Sequence, residues 1–393
     1  MAFTNDNPSR KPTDPILVST TLLFAGLGFI TLYSASNAPP EYIFPNGNIF
    51  ANVISTQITC EIIGLFFFII ASFLKWEIFR KPGWSILIIF AIIFLCISPG
   101  LPFIGREING ARRWIYIGAV HFQPSELLKI ILPLYFAHIA DKKQQAINER
   151  KGGIQLVIIL MIVLLTLVSI QEDLSTAALI GLNFIVLFIC AGGRRDITVT
   201  ACAVAVIILI VFIITSEERT ARIISFINQS GFQATQSQRM IRQGHILGTG
   251  IGQRVEEAIV PETTPDFIFS YFAERFGFLG VLCFFILFGL WMSRAIIIII
   301  NATETFRRLL ATGAFLAIAP QVLLTVGVAS GIFPVTGVPL PFFSSGGTSL
   351  IVSWIAAGIL FNVSQVPQRT GFSERGGRKN THFSTKKGGW DAS

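Results

Sequence analysis

The chain has 393 residues, of which 52% are hydrophobic and only 13% charged, with a net charge of +8. So little charge cannot cover a soluble domain of this length, and apolar runs long enough to cross a bilayer recur from end to end, so length does not count domains here. The Lys and Arg residues sit in short blocks between those runs, which is a topology signal and argues against a nucleic-acid partner.

Residues 1–14 form a polar tail with one basic pair, Arg10-Lys11. The first apolar run is followed by no small-residue cleavage site at signal-peptide spacing, so it reads as a retained span. The predicted spans are 15–35, 51–74, 84–102, 122–140, 154–170, 174–191, 197–215, 267–292, 309–331 and 347–365. The fold class is therefore an all-α integral membrane protein of about ten transmembrane helices, with a large extracytoplasmic loop between spans 7 and 8. Residues 15–366 make one membrane domain, and 367–393 a basic, disordered tail with few apolar residues whose Lys and Arg suit anionic lipid. Cys60, Cys96, Cys190, Cys202 and Cys283 all lie in or at the ends of apolar runs. They read as small apolar core residues rather than a disulfide framework or metal set.

With the N-terminus inside, twenty of the thirty Lys and Arg residues fall on the inside, eight outside and two within spans. That asymmetry places both termini in the cytoplasm. The eight exceptions concentrate in two outer segments, 103–121 and 216–266. Long loops cross regardless of charge, which covers the second segment but not the first. An anionic ligand outside, phosphate or pyrophosphate, accounts for both.

Four polar or glycine-rich segments interrupt the apolar pattern at the outer side. The first runs from Asn109 to Lys129. Trp114 and Tyr116 suit headgroup level, Pro124 suits a helix's first turn with Gln123 or Ser125 near its cap, and Glu126 and Lys129 share a helix face at i, i+3 spacing. An ionisable pair inside a span is either a functional feature or a structural salt bridge. The second, Gln171–Thr176, reads as a tight polar turn with Asp173 or Ser175 capping the next helix. The third, Arg222–Asp266, holds Gln236-Ser237 and glycines at 244, 248, 250 and 252, which let backbone approach a ligand closely. Asp266 there is either an N-cap or a carboxylate held at the outer interface. The fourth, Ser330–Ser349, has three prolines and four glycines. It cannot stay helical and reads as a re-entrant or interfacial loop lining a cavity.

Taken together these segments resemble the RodA/FtsW, or SEDS, family. The resemblance is carried by NGARRWI at 109–115, FQPSE at 122–126, VPE at 260–262, PDFIF at 265–269 and PVTGVPLPFFSSGG at 334–347, with YSAS at 33–36 and ERFGFLG at 274–280 in support. It implies a ten-span peptidoglycan glycosyltransferase of the bacterial cytoplasmic (inner) membrane, serving cell division or elongation and cell shape. Such an enzyme polymerises lipid II on the outer face by inverting hexosyl transfer from an undecaprenyl-pyrophosphate-linked donor. The implied partners are lipid II, a class B penicillin-binding protein that crosslinks the strands, and other membrane proteins of the division or elongation machinery. The NGARRW segment and the GTGIG run lean toward the division type. Departures from the family pattern are Pro265, Glu172, Ser175, Thr325 and Ser345, where threonine, proline, glycine, asparagine and tyrosine are usual. They leave the family's essential aspartate, here Asp266, in place.

The chemistry joins a weakly nucleophilic sugar hydroxyl to an anomeric carbon bearing a lipid pyrophosphate, so a carboxylate can serve as general base. Asp266 is the candidate. Arg112, Arg113, Trp114, Arg222, Gln236, Ser237, Arg242 and Glu262 are candidate substrate-binding residues. Glu126, Lys129, Pro339, Pro341, Ser344, Gly346 and Gly347 are candidate cavity residues. Charge on the departing pyrophosphate can be stabilised by arginine or by a divalent cation such as Mg2+ or Mn2+. No metal-ligand cluster is visible and no organic cofactor is called for. A lipid II flippase or other transporter, and a scaffold for the penicillin-binding protein, are the alternatives.

Overall fold

The computed structural model of the chain describes residues 14–36, 49–101, 105–108, 111–117, 120–142, 158–159, 162–163, 165–167, 171, 173–251, 267–344 and 346–365. Both predicted tails lie outside the described residues apart from Asp14, as do Asp266, Glu262, Glu172 and Ser345 and most of the predicted span 154–170.

Nine of the ten predicted spans fall on helices. These are α1 (Pro15–Ser36), α2 (Ile49–Phe73), α3 (Pro82–Ile97), α4 (Pro124–Lys142), α5 (Leu174–Cys190), α6 (Arg195–Ile214), α9 (Ile268–Asn301), α10 (Thr305–Ala329) and α11 (Thr348–Ser364). Among the described residues, α1, α2, α3, α6, α9 and α10 are long and apolar enough to cross a membrane, and α5 and α11 are shorter apolar helices. The chain is a multi-pass helical membrane protein.

Burial within the chain separates central from peripheral helices. In α10, 78% of the apolar window is buried, against 22% in α2 and in α6. α10 packs against α4, α5, α9 and α11, and α2 lies along α11. The outward sides of α2, α3 and α6 carry Phe66, Phe90, Val206 and Ile207 exposed, as lipid-facing helices should. An aromatic cluster closes the core toward the proline-glycine segment. Phe343 from that segment meets Phe24, Phe272 and Phe284 at ring-centroid distances of 6.2, 5.6 and 5.4 Å, edge to face, the arrangement that aromatic quadrupoles favour.

Both predicted outer loops hold regular structure. In the first, β1 (Gly105–Ile108), β2 (Ala111–Ile117) and β3 (Val120–Phe122) form a three-stranded antiparallel sheet in the order β1-β2-β3. Gly105 pairs with Ile115 and Ile115 with Phe122. In the second, α7 (Glu217–Ile227) and α8 (Phe232–Gln243) are amphipathic helices. Polar loops were expected at both places, because neither stretch has an apolar run long enough to read as a span and short strands give weak periodicity.

α9 is interrupted. Gly277 has φ 63° and ψ −165° inside it. The residues after Gly277 alone cover roughly 35 Å, enough for a hydrocarbon core of about 30 Å. The short helix Ile268–Phe276 is therefore not needed to cross the membrane and forms a separate piece at the N-terminal end of the span.

Candidate functional site

The site is built from backbone that the sequence forbids from being helical, tied together by buried polar side chains. Pro124 opens α4, where its missing N–H costs nothing, and the Gln123 backbone N–H donates to Thr348 Oγ1 at the start of α11, 2.9 Å away. One turn in, Lys129 Nζ lies 2.7 Å from Glu126 Oε1 and 2.7 Å from Gln321 Oε1, all three buried. Gln321 Nε2 in turn donates to the Pro339 carbonyl at 2.7 Å and to Ser349 Oγ at 3.0 Å. Thr325 Oγ1 reaches the Val338 carbonyl at 3.2 Å. The predicted Glu126–Lys129 pair is thus an anchor that fixes the proline-glycine segment to α4 and α10. Buried charges persist only when paired and hydrogen-bonded in this way.

The second polar segment joins more elements than a cap requires. Asp173 Oδ1 accepts from the Thr176 backbone N–H at 3.1 Å, so of the two predicted caps of α5, Asp173 and Ser175, it is Asp173 that serves. Its Oδ2 accepts from Gln123 Nε2 at 2.8 Å and from Ser125 Oγ at 3.3 Å. Gln171 Nε2 donates to the Leu95 and Cys96 carbonyls at the end of α3, at 3.1 and 3.0 Å. The Gln171 carbonyl accepts from Arg113 Nε at 3.0 Å. Ser175 Oγ donates to the Thr336 carbonyl at 2.8 Å.

These contacts border an open cavity of about 340 Å3. Arg113 and Trp114 from β2, Leu174 and Ser175 from α5, and Pro334, Val335 and Thr336 form one side. Ile213 and Ser216 at the end of α6, with Glu218, Arg219, Arg222 and Ile223 of α7, form the other. The cavity draws on all four segments singled out in the sequence. Its size falls within the usual range of about 300–1,000 Å3 for small-molecule sites. Glu218 pairs with Arg222 at 2.6 Å on the exposed side of α7, and Arg219 Nη1 donates to the Phe212 carbonyl at 3.1 Å. Among the described residues no group of three or more His, Cys, Asp or Glu could hold a metal ion. The described lining is rich in guanidinium, and its one carboxylate is ion-paired, so it fits an anion better than a cation.

Of the predicted substrate-binding residues, Arg113, Trp114 and Arg222 meet at this cavity. Arg112 lies beside Arg113 on β2. Arg242 is exposed in the last turn of α8 and is not among the lining residues. Ser237 is buried where α8, α9 and α10 meet, 2.5 Å from Ser270 Oγ and 2.6 Å from the Ala329 carbonyl, with buried Gln236 beside it. Asp266 and Glu262 lie outside the described residues. Of the predicted cavity residues, Pro341 and Ser344 are buried, and Ser344 Oγ has no hydrogen-bond partner among the described residues. Pro339 gives its carbonyl to Gln321, a Cβ on Gly346 would touch the Pro339 ring, and Gly347 is the N-cap of α11.

The glycine run after α8 has a different use from the predicted one. Its close approach is to α9. At the Gly277 break, the Phe278 and Leu279 N–H groups donate to the His245 and Ile246 carbonyls at 2.9 and 3.1 Å. The Glu274 and Arg275 carbonyls accept from Thr249 and Gly250 N–H at 2.9 and 3.1 Å. The run completes the hydrogen bonds that the broken helix loses. A Cβ on Gly248 would lie 2.1 Å from the Arg275 carbonyl oxygen.

Sequence reasoning overlooked Arg219, Glu218, Ser175, Gln171 and Gln321 as parts of the site. Arg219 carried a readable signal, its i, i+3 spacing from Arg222. Gln321 carried none, since a lone amide in an apolar run does not reveal its partner.

The cell cycle protein family model FtsW/RodA/SpoVE matches residues 15–369. Stage V sporulation protein E of Bacillus subtilis (strain 168) is 32% identical over 366 residues, covering 91% of this chain and 99% of that protein. A protein of Trichlorobacter lovleyi named probable peptidoglycan glycosyltransferase FtsW is 30% identical over 367 residues, covering 90% and 95%. A chain from a structural study of coordinated polymerization and crosslinking by a peptidoglycan synthase complex superposes with a TM-score of 0.70. It is 26% identical and covers 90% of this chain and 98% of that chain.

Proposed function

The chain belongs to the FtsW/RodA/SpoVE family of cell cycle proteins, and from that premise we propose how its outer cavity serves glycan synthesis. The protein is a peptidoglycan glycosyltransferase. Its substrate in this proposal is lipid II, polymerised on the outer face of the bacterial cytoplasmic membrane, with both termini and the basic tail inside. Residues 15–366 act as one domain. The partner is a class B penicillin-binding protein, in keeping with the peptidoglycan synthase complex that the fold matches. The sporulation and FtsW relatives favour a division-type role over elongation.

The observation that carries the proposal is the cavity's charge. Arg113, Arg219 and Arg222, from two outer segments distant in sequence, line one space with a tryptophan. Guanidinium groups match phosphate oxygens in geometry and charge. Donors aimed at a diphosphate hold it when the substrate binds and keep holding it as the sugar–phosphate bond breaks and the negative charge passes to the leaving oxygen. Trp114 offers a face for a sugar ring or the headgroup boundary.

Asp266 is the proposed general base, taking the proton of the attacking sugar hydroxyl as the new glycosidic bond forms. It directly precedes Phe267, which leads into the N-terminal piece of α9, and that piece is held by the glycine run. Glu126 and Lys129 act at a distance by holding the proline-glycine wall. A requirement for Mg2+ or Mn2+ is a separate proposal, tested by chelation.

Gel analysis of products from purified lipid II tests this reading against its rivals. The chain with its penicillin-binding partner is expected to yield long glycan strands. A transporter or a scaffold yields none.

A further inference from the structure

We infer that Asp173 is a positioning residue for the transfer reaction, holding two walls of the arginine-lined cavity in register with the start of α4. This rests on the glycosyltransferase reading above. The N-cap of α5 uses only Oδ1. Oδ2 takes Gln123 Nε2 at 2.8 Å and Ser125 Oγ at 3.3 Å, and all of these groups are buried. A cap alone needs no such second set, since a serine serves an N-cap about as well.

The turn fixed in this way carries the cavity walls. Two residues before Asp173, the Gln171 carbonyl receives Arg113 Nε, which sets the plane of the guanidinium. Two residues after it, Ser175 Oγ holds the Thr336 carbonyl of the proline-glycine wall. Gln171 is itself pinned to the end of α3 through its amide. Asp173 thus ties the turn to α4, and the turn ties Arg113 and Thr336 to each other. Releasing Oδ2 from Gln123 and Ser125 lets both walls shift while every helix keeps its cap. An arginine that has lost its fixed orientation binds the diphosphate less well in ground state and transition state alike, so KM rises and kcat holds.

Asp173→Ser keeps a capping oxygen but is too short to reach Gln123. Asp173→Asn keeps both, because Gln123 can turn its amide to accept from the new Nδ2. The test is steady-state polymerisation of lipid II by the detergent-solubilised full chain with its partner. KM for Asp173→Ser is expected to rise roughly tenfold, as for a lost hydrogen bond to a charged group, with kcat within about threefold and the unfolding temperature near wild type. Asp173→Asn is expected to stay within about threefold of wild type in KM. Gln123→Ala should reproduce the Asp173→Ser effect, and the double variant should be no worse than either single one. Wild-type KM in Asp173→Ser overturns the inference. If that variant does not fold, wild-type KM in Gln123→Ala overturns it instead. A wild-type chain that makes no glycan overturns the glycosyltransferase reading itself, and the inference with it.

Discussion

The glycine-rich stretch after α8 and the proline-glycine stretch after α10 both bring backbone close to something, but to different things. The first inserts into the break in α9 and exchanges four backbone hydrogen bonds with it. The second gives its Pro339, Val338 and Thr336 carbonyls to side chains of α10 and α5 and turns Pro334, Val335 and Thr336 toward the cavity. The first is a brace whose partner is the chain's own backbone. The second is a wall whose shape is set by buried polar side chains. Glycine content does not tell a brace from a wall. What distinguishes them is that the glycine run meets α9 mainly backbone to backbone, while the proline-glycine segment is tied to its neighbouring helices by side chains.

That contrast predicts that a glycine substitution costs more stability in the brace than in the wall, and that loss of a side-chain bond to the wall shows in substrate binding. The largest effect is expected at Gly277. Its φ of 63° is in the left-handed region, and an added Cβ would lie 2.3 Å from Gly248 N and 2.7 Å from the Ile246 carbonyl oxygen. Those are backbone atoms that cannot step aside. Gly277→Ala should cost about 3 kcal/mol or more, read as a lowered unfolding temperature or failure to run as a single species in detergent. A wild-type unfolding temperature would break the contrast.

Lys129→Met comes next. It leaves Glu126 buried without its cation and is expected to cost about 3–5 kcal/mol. Adding Glu126→Gln should recover a large part of the loss. If the double variant is no more stable than Lys129→Met, the pair is not the anchor described above.

A smaller effect is expected at Gly331, at the head of the wall segment, where φ is 81° and a Cβ would meet Gln238 Nε2 at 2.0 Å. That atom is the end of a flexible side chain and can move, so the strain is mainly that of the left-handed backbone. Gly331→Ala should cost about 1 kcal/mol, well below Gly277→Ala in the same melt. The smallest change is Ser175→Ala, which removes one hydrogen bond to the wall. It should raise KM a few-fold, in line with about 1 kcal/mol, and leave the unfolding temperature unchanged. A fall in stability without a change in KM would assign the wall to the brace class.

The helical membrane fold was legible because burial in lipid imposes long apolar runs, and those runs need no tertiary information. The Asp173 cap and the Pro124 start were legible for a related reason, since capping is a local rule. What could not be read were pairings across the fold. Gln171 and Arg113 are 58 residues apart and joined through a carbonyl, and every residue has a carbonyl. The sheet in the first predicted outer loop escaped because its strands are short. Ser237 was singled out as substrate-binding, yet its hydroxyl is spent on Ser270 and on the carbonyl of Ala329. A hydroxyl that packs helices together and one that binds a sugar look the same in sequence. Arg113 and Arg222 were singled out because positive charge on the side expected to be outside needs a reason, and the two line one cavity.

In the proposed mechanism the cavity holds a lipid-linked diphosphate while Asp266 activates the attacking hydroxyl. The most direct test is steady-state glycan synthesis from lipid II by purified chain and partner, wild type against Asp266→Asn. A fall in kcat of about a hundredfold or more is expected, with KM close to wild type because the arginines still bind. Full polymerisation by Asp266→Asn would contradict that mechanism.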